Sequence, residues 1–250
     1  MEFPLGVFAI ALSTVILPSL SRSHANDSAD EFSHTVDWAL RMVLLIGIPS
    51  AVGLCLLARP MLATLFNYGD FGAADVVMAG LSLMVYAVGL PGFMLVKVLA
   101  PAFFSRKDTV IPVRVAIDAM FTNIVLNLLF VVPMVMLDIP GPHAGLALAT
   151  SLAAWVNAGL LFYLLKKKQV YRPNSGWRQL FLQLAGAASV LGGILLLGMP
   201  SLQVWLDWPA LSRVTGLLVW VMAGAGSYFI ALHLFGLRIR DLLQQRHGEG

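Results

Sequence analysis

The chain has 250 residues, of which 59% are hydrophobic and 12% charged, whereas soluble domains run about 45–50% apolar and ~25% charged. That imbalance points to an all-α polytopic membrane protein. The net charge of +3 comes without the clustered basic face of a nucleic-acid binder, and the single Cys55 excludes an intrachain disulfide.

Residues 1–22, MEFPLGVFAIALSTVILPSLSR, are uncharged from Phe3 to Leu20. A run of that length makes about 27 Å of helix, close to the ~30 Å hydrocarbon core. Pro4 and Pro18 lie near its ends, where a lost amide bond matters least. The run lacks the basic start and small-residue cleavage pattern of a signal peptide. It reads instead as the continuation of a preceding segment. Glu2, at its mouth, is the first functional candidate; its plainer role is a solvated acid at a helix start.

After a polar, acidic loop, a second span is expected over 36–58, kinked at Pro49. The short apolar piece MLATLFNYG that follows is too short to span and reads as a helix extension or an interfacial turn. A third span over 73–104 is the most interrupted, with Gly89, Pro91, Gly92, Lys97 and Pro101. A fourth over 112–137 carries Arg114, Asp118, Asn123 and Asn127. A tight DIPGPH turn leads to a fifth over 144–165, which stops at Lys166, Lys167 and Lys168. The sixth and seventh run over 177–199 and 209–235, before a polar tail.

Seven spans place the two ends of the sequence on opposite sides. One side collects Arg22, Arg41, Arg106, Lys107, Arg114, Lys166, Lys167, Lys168, Arg172, Arg178, Arg238, Arg240 and Arg246; the other holds Arg59 and Arg213. The positive-inside rule makes the crowded side, and with it the C-terminus, cytoplasmic. Trp177, Trp205 and Trp208 fall where an aromatic belt is expected. The loop at 166–176 is the candidate division. It separates a five-helix set at 1–165 from a pair of helices at 177–236, with the tail at 237–250.

Lys97 is the sharpest intramembrane signal, because a charge near mid-membrane costs about 2.5–3.5 kcal/mol on insertion scales. Facing a cavity and snorkelling to the inner surface, roughly 10 Å away by the helical rise, are the two readings. Arg114 and Asp118 are spaced to pair on one helix face, as are Asn123 and Asn127; amides at such positions usually join helices. Pro49, Gly89, Pro91, Gly92 and Pro101 mark helices able to bend, as transporters use around a central site. The small residues Ala185, Gly186, Ser189, Gly193, Ala223, Ser227 and Ala231 read as close packing of the last two helices. Scattered His residues and the lack of nucleophile or metal-ligand spacing argue against an enzyme, a metal or a cofactor.

The stretches MEFPLGVFAIALSTVILPSLSR, DWALRMVLLIGIPSAVGL, LFNYGDF, VKVLAPAFFSRKD and HAGLALATSLAAWVNAGLL resemble, in that order, the C-terminal half of the MurJ (MviN) family of lipid II flippases. The resemblance implies seven of fourteen helices: the C-terminal lobe plus the last two. It also implies transport of a lipid-linked peptidoglycan precursor across the bacterial inner membrane by alternating access. Glu2 matches the family's cavity acid and Lys97 the lysine of its VKVLAP stretch; the last two helices correspond to a groove for the lipid tail. Asp118 is a further cavity candidate, as an anion within reach of Lys97. The expected partners are the precursor, membrane lipids and an N-terminal lobe that this chain does not contain. A small-solute or drug exporter of the same superfamily, and a non-transporting scaffold subunit, are the competing readings.

Overall fold

A computed structural model describes residues 11–25, 28–139 and 141–237. Its elements are α1 (Ala11–Ala25), α2 (Ala29–Phe66), α3 (Ala73–Phe104), α4 (Val110–Met136), α5 (Pro142–Lys167), α6 (Trp177–Gly198), the short α7 (Leu202–Asp207) and α8 (Ala210–Leu234). Among the described residues there is no strand, and α2, α3, α4, α5, α6 and α8 are each long and apolar enough to cross a membrane. The first expected span is helical from Ala11 onward, and its opening residues, Glu2 among them, lie outside the described residues.

The helix ends follow local chemistry. Asp75 accepts from the Gly72 amide at 2.9 Å and starts α3. Pro142 opens α5, where its missing N–H costs nothing. At the end of α5, Gln169 turns left-handed at φ 56°, and Val170 N–H returns to Leu165 O at 3.1 Å, closing the exposed carbonyls.

α2 is longer than the expected 36–58 span. It runs unbroken through Pro49 and Pro60 and absorbs the short apolar piece as far as Phe66. It is also the spine of the fold, packing on α1, α3, α6, α7 and α8. The main core gathers Leu40, Val43, Met94, Val98, Leu161, Leu184 and Tyr228 from α2, α3, α5, α6 and α8.

α3 lies closely along α5. A Cβ added at Gly89 would sit 2.7 Å from Ser151 Cα, and one at Gly92 would sit 3.2 Å from the Ala154 carbonyl carbon. Into that contact Ser151 Oγ donates to Val85 O and Trp155 Nε1 to Val88 O, both at 2.9 Å, on the turn before Pro91. These two glycines thus serve close approach between helices, the small-residue device of membrane bundles. α4 leans on α5 and buries only Pro112, Val115 and Ala119. Its remaining face, including Phe121, Leu128 and Leu129, is exposed and apolar, as suits lipid.

Asn123 Nδ2 donates to Thr150 Oγ1 of α5 at 3.2 Å, joining the two helices as expected of an amide here, while Asn123 Oδ1 accepts from Asn127 Nδ2 at 2.8 Å within α4. Arg114 and Asp118, by contrast, do not close an ion pair. Both are exposed, and the ion pairs among the described residues are Arg41–Asp37 and Lys168–Asp108. Water or headgroups satisfy two exposed side chains as well as each other does, so little drives the pair together.

Candidate functional site

Lys97 projects from α3 with its side chain exposed, while its neighbours Met94, Val98 and Leu99 are buried in the core. It makes no hydrogen bond or ion pair among the described residues, and it stands about 10 Å short of the helix end at Phe104 by the ~1.5 Å rise. Asp118 is exposed on α4, which barely touches α3, and its carboxylate bonds neither Lys97 nor Arg114. The described residues therefore carry an open cation and a separate open acid, not an assembled pair. No group of three His, Cys, Asp or Glu that could hold a metal occurs among them.

The densest polar site lies elsewhere, at the basic end of the bundle. Asp37 on α2 is 1% exposed and saturated. Its Oδ2 accepts from Arg41 Nε at 2.6 Å. Its Oδ1 accepts from Tyr171 Oη at 2.6 Å, Trp177 Nε1 at 2.8 Å and the Asn174 amide at 3.2 Å. Arg41 also donates to Ser175 O at 2.9 Å and stacks its guanidinium 5.0 Å from the Trp177 ring centroid. Ser33 Oγ bonds the Arg172 backbone on both its carbonyl and its amide. Tyr171, on the loop, has its phenol pushed far above the usual range by burial first and by the facing Asp37 carboxylate second, so it remains a donor. A buried ion pair is tolerable only when its other valences are met in this way.

At the opposite end, Arg213 of α8 is equally occupied. It donates to Trp208 O at 2.9 Å, Ala63 O at 3.2 Å and Leu206 O at 2.5 Å, and to Asn67 once that amide is turned. Beside it, fully buried Trp205 donates to Thr64 Oγ1 at 3.1 Å. Trp205 is therefore not part of a lipid-facing belt, and half-buried Trp177 spends its indole N–H on Asp37. Sequence position fixes the depth of a residue, not the direction in which its side chain points. The signal for the Asp37 cluster was present in the i, i+4 pair of Asp37 and Arg41 at the mouth of an apolar run; its partners at 171–177 carried none.

Membrane-length helices around one spine, with an open cation on the third and no assembled catalytic or metal group among the described residues, define a polytopic all-helical membrane protein. Residues 1–212 match the family model described as lipid II flippase MurJ. The chain is 44% identical over 242 residues to a probable lipid II flippase MurJ of Vibrio cholerae, covering 97% of this chain and 45% of that protein. It is 38% identical over 243 residues to the lipid II flippase MurJ of Burkholderia cenocepacia, covering 95% and 45%. A solved structure of the lipid II flippase MurJ in an inward closed conformation superposes with a TM-score of 0.74 at 25% identity, covering 97% of this chain and 45% of that one. The chain belongs to the lipid II flippase MurJ family, and it spans about half the length of these relatives.

Proposed function

We propose that this chain is the C-terminal half of a lipid II flippase. Together with an N-terminal lobe, it carries a lipid-linked peptidoglycan precursor across the bacterial inner membrane by alternating access. The observation that carries the reading is Lys97, an exposed ammonium on an apolar helix with no partner among the described residues. Such a charge is costly against lipid and stable beside an anion or in a wet cavity. A pyrophosphate head offers that anion, and a second lobe would close the cavity around it. The work is binding and conformational exchange, with no covalent step. Glu2 and Asp118 complete the charged surface in this reading, and Gly89, Pro91, Gly92 and Pro101 supply bendable points along α3.

Within the chain, residues 1–165 form the lobe and 177–236 the pair that receives the lipid tail, with the basic loops and the C-terminus on the cytoplasmic side. The test is complementation in cells depleted of their own flippase. The chain alone is expected not to restore growth, and the chain co-expressed with the N-terminal half of the Vibrio cholerae relative is expected to do so. Full rescue by the chain alone would refute the need for a second lobe. Failure of the well-expressed pair would refute the flippase reading.

A further inference from the structure

The α6–α8 pair is fastened to α2 at three heights. At the basic end, Asp37 takes Tyr171, Asn174 and Trp177, the residues that lead into α6. Further along, Tyr228 Oη of α8 donates to Leu45 O at 2.9 Å, and both partners are buried. At the far end, Arg213 and Trp205 bond Ala63 O and Thr64 Oγ1. By the helical rise, Asp37 and Leu45 lie about 12 Å apart along α2, and Leu45 and Ala63 about 27 Å apart. Between the fastenings, Leu184, Leu191, Leu195 and Leu232 are buried in the same core.

We infer that α2, α6 and α8 move as one rigid unit, so that the groove of the last two helices keeps its place relative to α2 through the whole transport cycle. Geometry sets the limit. Tilting the pair by about 10° around the Leu45 contact would displace the far fastening by about 5 Å, well beyond the few tenths of an ångström a hydrogen bond tolerates. Such a tilt strips the buried Asp37 carboxylate of three of its four donors and the buried Arg213 guanidinium of the Ala63 carbonyl, losses that are costly for charged groups out of water. Any exchange between inward and outward states then bends or shifts other elements. The functional consequence rests on the proposed flippase reading; the rigidity does not.

The test places pairs of spin labels on the chain in lipid nanodiscs, in a Cys55→Ala background. One pair is at Glu31 and Arg178, the other at Leu65 and Leu211, all exposed positions at the two ends of the unit. Each pair is expected to give one narrow distance distribution, unchanged when a polyprenyl pyrophosphate lipid is added. Asp37→Asn is expected to add a second, longer population at Glu31/Arg178 and leave Leu65/Leu211 narrow; Arg213→Gln is expected to do the reverse. A general loss of stability would disturb both ends together. Where Asp37→Asn does not fold, Tyr171→Phe is read in its place with the same expected outcome. Two populations at either end of the wild-type chain, a shift on adding the lipid, or an unaltered Glu31/Arg178 distance in the folded variant would each overturn the inference. None of these outcomes depends on whether the lipid is transported.

Discussion

The Tyr171 hydroxyl donates to the Asp37 carboxylate at 2.6 Å across 134 residues of chain. That bond holds the 169–176 loop against α2, and it shares its acceptor atom with the Trp177 indole and the Asn174 amide. Tyr171→Phe removes one hydrogen bond to a charged group and is expected to cost about 1.5–3 kcal/mol. Asp37→Ala leaves Arg41 buried without its counter-ion and is expected to cost about 3–5 kcal/mol. Thermal unfolding in detergent, followed by tryptophan fluorescence, measures both. A smaller loss for Asp37→Ala than for Tyr171→Phe would mean that the carboxylate is not the hub.

The α3–α5 contact makes a paired prediction from two glycines. A Cβ at Gly89 meets Ser151 backbone at 2.7 Å, whereas one at Gly159 meets nothing within 4 Å. Gly89→Ala must push the helices apart, at about 1–3 kcal/mol for an overpacked contact. Gly159→Ala is expected to be neutral or to stabilise by up to about 1 kcal/mol, because alanine is the better helix former. Equal effects of the two substitutions on unfolding temperature would contradict the close packing.

The loops after α3 and α5 are joined by Lys168 Nζ to Asp108 Oδ2 at 2.8 Å. The Lys168 hydrogen bond, the largest cause, holds the Asp108 carboxyl below its ordinary value of 3.8. A depressed acid stabilises the fold above the unfolded pKa and loses that contribution as pH falls through the folded pKa. The bridge is therefore intact at neutral pH and fades below about pH 4, with no change expected between pH 5 and 8. Being largely exposed, it is worth at most about 1 kcal/mol and weakens with salt. Lys168→Met should flatten the acid limb of a plot of unfolding temperature against pH. An identical acid limb in the variant would remove the bridge from the account.

The charge asymmetry of the loops predicts an orientation that labelling can test. A cysteine at Lys167 is expected to be shielded from an impermeant thiol reagent added outside intact cells, and one at Asp207 to be labelled. Both positions are exposed, so access is decided by the side of the membrane alone. Labelling at Lys167 together with protection at Asp207 would invert the topology.

The long helices were legible in the sequence because runs of apolar residues near membrane length leave few alternatives. The end of α5 was legible for a similarly local reason: the lysines ending at Lys168 act on their own turn. Asn123 was readable as a link between helices because an amide in an apolar helix gains by bonding a neighbouring one. What could not be read was direction. Trp205 sits at the depth an aromatic belt requires but points inward to Thr64, and Arg213 reads as a loop cation yet is enclosed by carbonyls on three segments. The distant partners of Asp37 lay hidden for another reason: they are brought to it by the packing of α6 on α2, which no local pattern encodes. Lys97 stood out in the sequence as a charge in an apolar run, and its exposure on α3 is compatible with both facing a cavity and snorkelling.

Lipid translocation decides between those two roles. The chain and the N-terminal half of the Vibrio cholerae relative are reconstituted together in vesicles, and movement of a fluorescent lipid-linked precursor between leaflets is followed, normalised to protein content. The wild-type pair is expected to move the lipid, Lys97→Gln to slow it by at least about tenfold, as loss of a charge-assisted contact of about 1.5–3 kcal/mol requires, and Lys97→Arg to keep more of the rate. Equal rates for wild type and Lys97→Gln would contradict the central claim that this ammonium meets the substrate's charge in a cavity shared by two lobes.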